Sequence, residues 1–232
     1  MRRGRLAEFA YEYTKRMLFD GTLAPGAKLR VEDVVASLHT SRQPVMDAFK
    51  RLASEGYLEI TPQVGCRVVV PGAAEIADFF LILGAVQGLA ADVAAERRSA
   101  EEVSKLHGLG AEIDGLLEVP ADRIDFVEFR RLDHDFQRLL DVMAHSDTVA
   151  HVATGLLDRR DFYLTCIANT ERVPAERMHE IRGDHGAIAS AIANRNAEAA
   201  RARTESLVLT LGQIVVGAPT RVAQPGGSLT TA

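Results

Sequence analysis

Hydrophobic positions recur at helical spacing along nearly the whole chain. In residues 5–19, Leu6, Phe9, Ala10, Tyr13, Met17 and Leu18 keep the three-and-four interval of an amphipathic helix, which Asp20-Gly21 ends. Pro25-Gly26 makes a turn, and Leu29 opens the next ordered stretch. A short helix over 32–38 turns Val34, Val35 and Leu38 inward, and His39-Thr40 links it tightly to another helix that starts at Ser41. Ser41 suits an N-cap, since its hydroxyl can accept an otherwise unpaired backbone N–H; Pro44 is tolerated because first-turn amides lack helical partners. This helix buries Val45, Ala48, Phe49 and Leu52 and closes at Gly56, as a left-handed C-cap would. Residues 57–60 and 67–70 read as two short strands, joined by a hairpin with Gly65 at its tip.

Beyond Pro71-Gly72 no segment has strand character. Residues 75–98 place Ile76, Phe79, Phe80, Leu83, Val86, Ala90 and Val93 on one helical period. Ser99 and Glu102 form a capping-box pattern that opens a helix running to about 118. Pro120 interrupts, and further helices are predicted over 122–143, 147–170, 174–195 and 197–216. The expected fold is mainly all-α: a winged helix-turn-helix with a small β-hairpin wing at 1–73, an antiparallel bundle of about six helices at 74–218, and a flexible tail at 219–232 rich in small residues.

Composition is that of a soluble globular protein, 47% hydrophobic and 25% charged. No apolar run is read as approaching the roughly 18 residues that span a bilayer, and no signal-like core follows the N-terminus, so a cytoplasmic location without a membrane partner is expected. Cys66 and Cys166 lack any C-x-x-C spacing, which leaves disulfide frameworks and zinc ribbons unsupported. The net charge of −5 argues at first against nucleic acid, but it is unevenly divided. Residues 1–73 hold 11 basic and 8 acidic side chains, a net +3, and the remainder holds 16 and 24, a net −8. A basic module on an acidic body keeps phosphate attraction local.

The order G-x-L-x-P-G (21–26), an apolar helix, S-R-x-P-V-x-x-A-x-x-x-L-x-x-x-G (41–56) and a Gly-tipped hairpin resembles the DNA-binding domain of the GntR family of bacterial transcription regulators. Asp133-His-Asp-Phe136-Gln137 and Asp184-His185-Gly-Ala-Ile188-Ala-Ser-Ala191-Ile192 resemble motifs of the ligand-binding FCD domain in its FadR-type branch. The resemblance implies a homodimer on a palindromic double-stranded operator, most often as a repressor, with a small-molecule effector bound in the helical half.

Side chains near the start of a recognition helix reach base edges in the major groove. Arg42 is therefore the expected guanine reader, Ser41 and Gln43 can meet base or phosphate, and Lys50 and Arg51 position the backbone. Gly65 lets the wing approach a groove closely, and Arg67 is its nearest cation. Met46 stands where the family usually has Arg, and Asp47 where it has Glu; His39 and Thr40 replace a common Gly and Val. These departures imply an altered half-site.

In the FadR-type branch an Asp and three His residues often hold zinc, nickel or manganese. Here Asp133 and His185 remain, Gln137 and Leu207 occupy the other two positions, and no metal is expected, although His134 or His179 offers rescue in a shifted geometry. Asp133, Gln137 and His185 can still line a polar effector pocket, with Arg130 and Arg182 as anion partners. Leu83-Gly-Ala-Val-Gln87 replaces a common R-x-x-L-E, so the effector should be less anionic or more apolar than a simple hydroxy acid. Two other readings are a metal-dependent all-α enzyme with an accessory winged domain and a winged regulator without ligand response. No H-E-x-x-H, nucleophile elbow or phosphate loop favours the enzyme.

Overall fold

Three helices and a three-stranded sheet build the first of two units into which the chain divides, one extending to Pro71 and the other starting at Gly72. The computed structural model describes residues 3–61, 65–168 and 175–217. The expected tail at 219–232, the wing residues 62–64 and the segment 169–174 lie outside them.

The first unit runs α1 (Arg3–Phe19), β1 (Lys28–Leu29), α2 (Val31–Leu38), α3 (Arg42–Ser54), β2 (Leu58–Thr61) and β3 (Gly65–Val68). Strand β1 was not foreseen. It is only two residues long, too short to show alternation, and it pairs antiparallel with β3 so that the order is β1-β3-β2. The expected inward face of α3 is the observed one: Val45, Ala48, Phe49 and Leu52 are buried. Each fully buried large apolar side chain contributes on the order of 2 kcal/mol. Ser41 occupies the N-cap position, but its side chain accepts no capping hydrogen bond. After the C-cap Glu55, Gly56 takes φ 75°, the conformation its identity announced.

Helix α1 is fixed to α3 by one arginine. The Arg51 guanidinium lies 3.6 Å from the Tyr11 ring centroid and donates to Glu8 at 2.9 Å and Glu55 at 3.1 Å, while the Tyr11 hydroxyl donates to Glu55 at 2.8 Å. Stacking and a forked donor suit Arg to this clamp.

The second unit is helical: α4 (Ala73–Arg97), α5 (Ala100–Leu116), α6 (Phe126–Met143), α7 (Asp147–Ala168), α8 (Ala175–Met178), α9 (Asp184–Ala193) and α10 (Ala197–Val216), with 3-10 turns at Ala121–Arg123 and His179–Ile181. The Ser99–Glu102 capping box is complete. Two expectations are corrected. The helix predicted over 122–143 begins at Phe126, capped by Asp125, and the one predicted over 174–195 is broken, because Gly183 adopts φ 84° ahead of α9. Helix α4, contrary to expectation, is long and apolar enough to cross a membrane by length and composition. It packs here as a bundle helix, with Phe80, Leu83, Ala90 and Ala94 buried. Its closest neighbour, α10, approaches through Gly212, where a Cβ would lie 2.6 Å from the Phe80 side chain.

His39, the α2 C-cap, is exposed and sits in the left-handed region at φ 47°, ψ 45°. A side chain there costs about 1 kcal/mol that glycine avoids. His39→Gly should therefore stabilise the first unit by up to about 1 kcal/mol, read as a rise in unfolding midpoint; an unchanged or lower midpoint would show that the imidazole compensates for the strain.

Candidate functional site

The first turn of α3 leaves Ser41, Arg42 and Gln43 exposed, with Lys50 exposed two turns further on. Gln43 donates to Asp47 at 2.8 Å, and Arg42 donates to Glu32 in the first turn of α2. Backbone hydrogen bonding first, then Arg42, holds the Glu32 carboxyl below its ordinary range. Both partners are about two-thirds exposed, so the pair is screened by water and easily exchanged. Gly65, at φ 127° with open space around it, and the exposed Arg67 complete the described edge of the wing. Arg67 is the register partner of Lys28 on one side and of Glu59 on the other. A cleft of about 500 Å³ lies in this unit, lined among others by Arg30, Glu32, Arg42, Met46, Ile60 and Gly65. Arg51 departs from expectation: its guanidinium is engaged in the α1–α3 clamp, which makes it a structural residue.

The helical unit buries a polar cluster. Asp133, Gln137 and Asp141 follow one another at four-residue steps on α6 and are 1 to 2% exposed, because that spacing puts all three on one face. His185 of α9 donates through Nε2 to Asp133 Oδ1 at 2.8 Å; facing an ionised carboxylate, that nitrogen must carry the proton. Arg160 of α7, 1% exposed, donates to Asp133 Oδ2 at 2.8 Å and to Asp161 Oδ1 at 2.8 Å. His134 Nδ1 closes the chain on Asp161 Oδ2 at 2.6 Å, and Arg130 donates to Thr165 in the same region. Burial alone would raise the pKa of Asp133 and of Asp161, but Arg160, helped by His185 and His134 respectively, holds both below their usual range.

Asp141 behaves oppositely. Burial pushes its carboxyl up to about 7, against the smaller influences of Gln87, Arg138, Arg160 and His134. The Gln87 amide on α4 lies beside it. Among the described residues, both Asp141 oxygens, both Gln87 amide atoms, Gln137 Oε1 and His185 Nδ1 find no hydrogen-bond partner, although all are buried. Such atoms are costly to leave unpaired. Perturbed, unpaired polar groups gathered in one place make this cluster a candidate functional site.

Of the expected effector residues, the structure pairs Asp133 with His185, sets Gln137 one turn along the same buried face of α6, and places Arg130 in the same region. Arg182 is a correction: it is exposed, beyond the 3-10 turn, and the structure does not bring it to the cluster. Arg160 and Asp141 were missed. Their signal was present, since Arg160 falls on the buried stripe of Ala153, Leu157 and Leu164, and Asp141 extends the four-residue ladder. A metal does not fit this donor set. Both Asp133 oxygens are engaged by protein donors, Leu207 is a buried apolar residue, and among the described residues no three His, Cys, Asp or Glu side chains are arranged to hold an ion. The His179 side chain is directed elsewhere, its Nδ1 meeting the Leu117 carbonyl at 3.0 Å.

Because folding raises the Asp141 pKa above its ordinary value of about 4, the folded state holds that proton more tightly than the unfolded state. Its contribution is fully present below about pH 4 and is lost as pH rises through about 7. Asp141→Asn should gain a few kcal/mol on the wild type at pH 8, each tenfold rise in proton affinity being worth roughly 1.4 kcal/mol, and the gain should shrink at pH 5. Urea unfolding at the two pH values checks this, and a difference that does not vary with pH rejects it. Arg160→Met, which strands Asp133 without its cation, should cost about 3–5 kcal/mol in the same assay.

A family model described as bacterial regulatory proteins, gntR family, matches residues 6–68, and an FCD domain model matches 78–209. The chain is 30% identical over 161 residues to an uncharacterised HTH-type transcriptional regulator of Streptomyces ambofaciens, covering 64% of this chain and 62% of the relative. It is 28% identical over 135 residues to the HTH-type transcriptional repressor RspR of Escherichia coli, covering 58% and 57%. The matched segments thus span about three-fifths of each of these two relatives. Among solved structures, E. coli McbR/YncC shares the fold with a TM-score of 0.72 at 19% identity, over 90% of this chain and 96% of that one. With a winged head and a helical domain each matching its model, the chain belongs to the gntR family of bacterial regulatory proteins and carries an FCD domain.

Proposed function

We propose that the protein acts in the cytoplasm as a homodimeric repressor on a palindromic operator, and that a small molecule entering the buried cluster changes its operator affinity without a resident metal. The observation that carries the DNA-reading half is the exposed first turn of α3, where Ser41, Arg42 and Gln43 face solvent and Arg42 lines one cleft with Gly65 of the wing. Arg42 is the base reader in this proposal. Its fork fits guanine O6 and N7, and its resting partner Glu32 is solvated enough to release it. The similarity to RspR supports the direction of control. An exposed apolar stripe on α4, with Leu81, Ile82 and Leu89 between 46 and 58% exposed, supports association through a second copy. Two copies related by a two-fold axis would present two reading heads to two half-sites. Within the cluster, unpaired buried atoms supply the polar contacts that would orient an effector.

Binding to the DNA upstream of its own gene, followed by gel shift at two salt concentrations, tests the proposal. Wild type should bind with affinity that falls steeply as salt rises. Arg42→Ala should weaken that binding by about 1–3 kcal/mol, roughly five- to 150-fold, with little change in unfolding midpoint. Equal affinity in the variant would remove Arg42 from the reading set. Sedimentation of the intact protein should give a dimer, and Leu81→Asp should shift it toward monomer.

A further inference from the structure

The unpaired atoms of the cluster are not a balanced set. Asp141 Oδ1 and Oδ2, Gln137 Oε1 and Gln87 Oε1 are acceptors, and His185 Nδ1 is a fifth when the ring proton sits on Nε2 facing Asp133. Among the described residues, the unpaired donor beside Asp141 is Gln87 Nε2, while Arg130, eleven residues earlier on α6, donates to Thr165. The available positive charge is committed elsewhere. Arg160 is shared between Asp133 and Asp161, at 2.8 Å from each, and Arg138 donates to Thr154 at 2.9 Å. Asp141 is thus the buried carboxylate that no guanidinium meets within hydrogen-bond distance among the described residues. A carboxylate effector presented here would set acceptors against acceptors and place a second negative charge beside the first.

An ammonium group matches the deficit. It brings three N–H donors and one positive charge, the number and sign that Asp141 and the two glutamine carbonyls lack. We propose that the helical domain takes an effector bearing a protonated amine, with Asp141 as its counter-ion and Gln137 and Gln87 accepting the remaining N–H groups. The proposal rests on the reading of this cluster as the effector site and names the chemistry of what enters it. It also gives the Gln87 position a role: a glutamine beside Asp141 accepts from an ammonium without adding a second carboxylate to the pocket. Asp133 and His185 are paired with one another, so neither competes for the ammonium as its counter-ion.

The test uses the intact protein and two matched panels, ethylamine, ethanolamine and putrescine against acetate, lactate and succinate, each titrated by thermal shift at pH 7.5 and constant ionic strength. Amines should raise the melting temperature in a saturable manner, and Asp141→Asn should weaken that response at least tenfold. Because the same substitution is expected to stabilise the empty protein at this pH, loss of the response is separable from loss of the fold. Gln137→Leu, which keeps Asp141 but removes one acceptor, should weaken it by a smaller factor. Saturable stabilisation by the carboxylates and not by the amines overturns the inference while leaving the effector reading intact. Silence from both panels overturns both. An amine response that Asp141→Asn leaves unchanged places the amine elsewhere and also overturns it.

Discussion

The helical domain depends on one buried guanidinium. Arg160 sits at 1% exposure, where an unmatched charge would cost several kcal/mol, and it is tolerable only because Asp133 and Asp161 each accept from it at 2.8 Å. Those contacts tie α7 to α6, and the remaining Asp133 oxygen extends the tie to α9 through His185. Both Asp133 oxygens are paired and Arg160 donates to two carboxylates with good geometry, which fixes the arrangement of these helices rather than loosening it. The consequence reaches along α6. With Asp133 locked in place, Gln137 and Asp141 are carried one and two turns further on the same buried face, where no further cation among the described residues is in line. The satisfied end of the ladder thus holds the unsatisfied end in position.

A similar division of labour separates two arginines nine residues apart on α3. Arg51 stacks on Tyr11 and donates to Glu8 and Glu55, so α1 cannot leave α3 without breaking several contacts at once. Arg42 has one exposed carboxylate partner. In water such a pair contributes about 0–1 kcal/mol, far less than a bidentate contact to a guanine. Arg42, the proposed base reader, is therefore held weakly, and Arg51, which joins α1 to α3, is held strongly. Sequence spacing did not separate them, because both are arginines near the exposed side of one helix. What distinguishes Arg51 is the proximity of α1, a tertiary fact.

Local chemistry made most of the fold legible. The Ser99–Glu102 box, the Gly56 turn and the inward face of α3 are decided within a few residues of themselves, and each appears where the pattern placed it. Errors arose where long-range pairing or backbone conformation decided the outcome. Two residues of β1 become a strand only because β3 passes beside them. Helical periodicity continues through 174–195, yet Gly183 at φ 84° ends one segment and begins another. In the buried cluster a family pattern supplied Asp133, Gln137 and His185. Arg160 and Asp141 belonged to no motif, and a charge on an apolar stripe reads as a breach of pattern until its partners are placed in space.

The unsatisfied end of that ladder also bears on how control could work. Ligand binding shifts an equilibrium only by the difference in its affinity for the two states. A cluster already satisfied when empty would offer little such difference, since a ligand would replace good hydrogen bonds with others of similar strength. Here the cluster carries, among the described residues, six unpaired buried polar atoms and a carboxyl raised to about 7 by its surroundings. Each unpaired buried group costs on the order of 1–3 kcal/mol, and a ligand that pairs them in one arrangement recovers that cost there and nowhere else. The imbalance of Asp141, Gln87 and Gln137 is therefore a reserve of differential binding energy, and the Arg160 network prevents α6 from relaxing to discharge it.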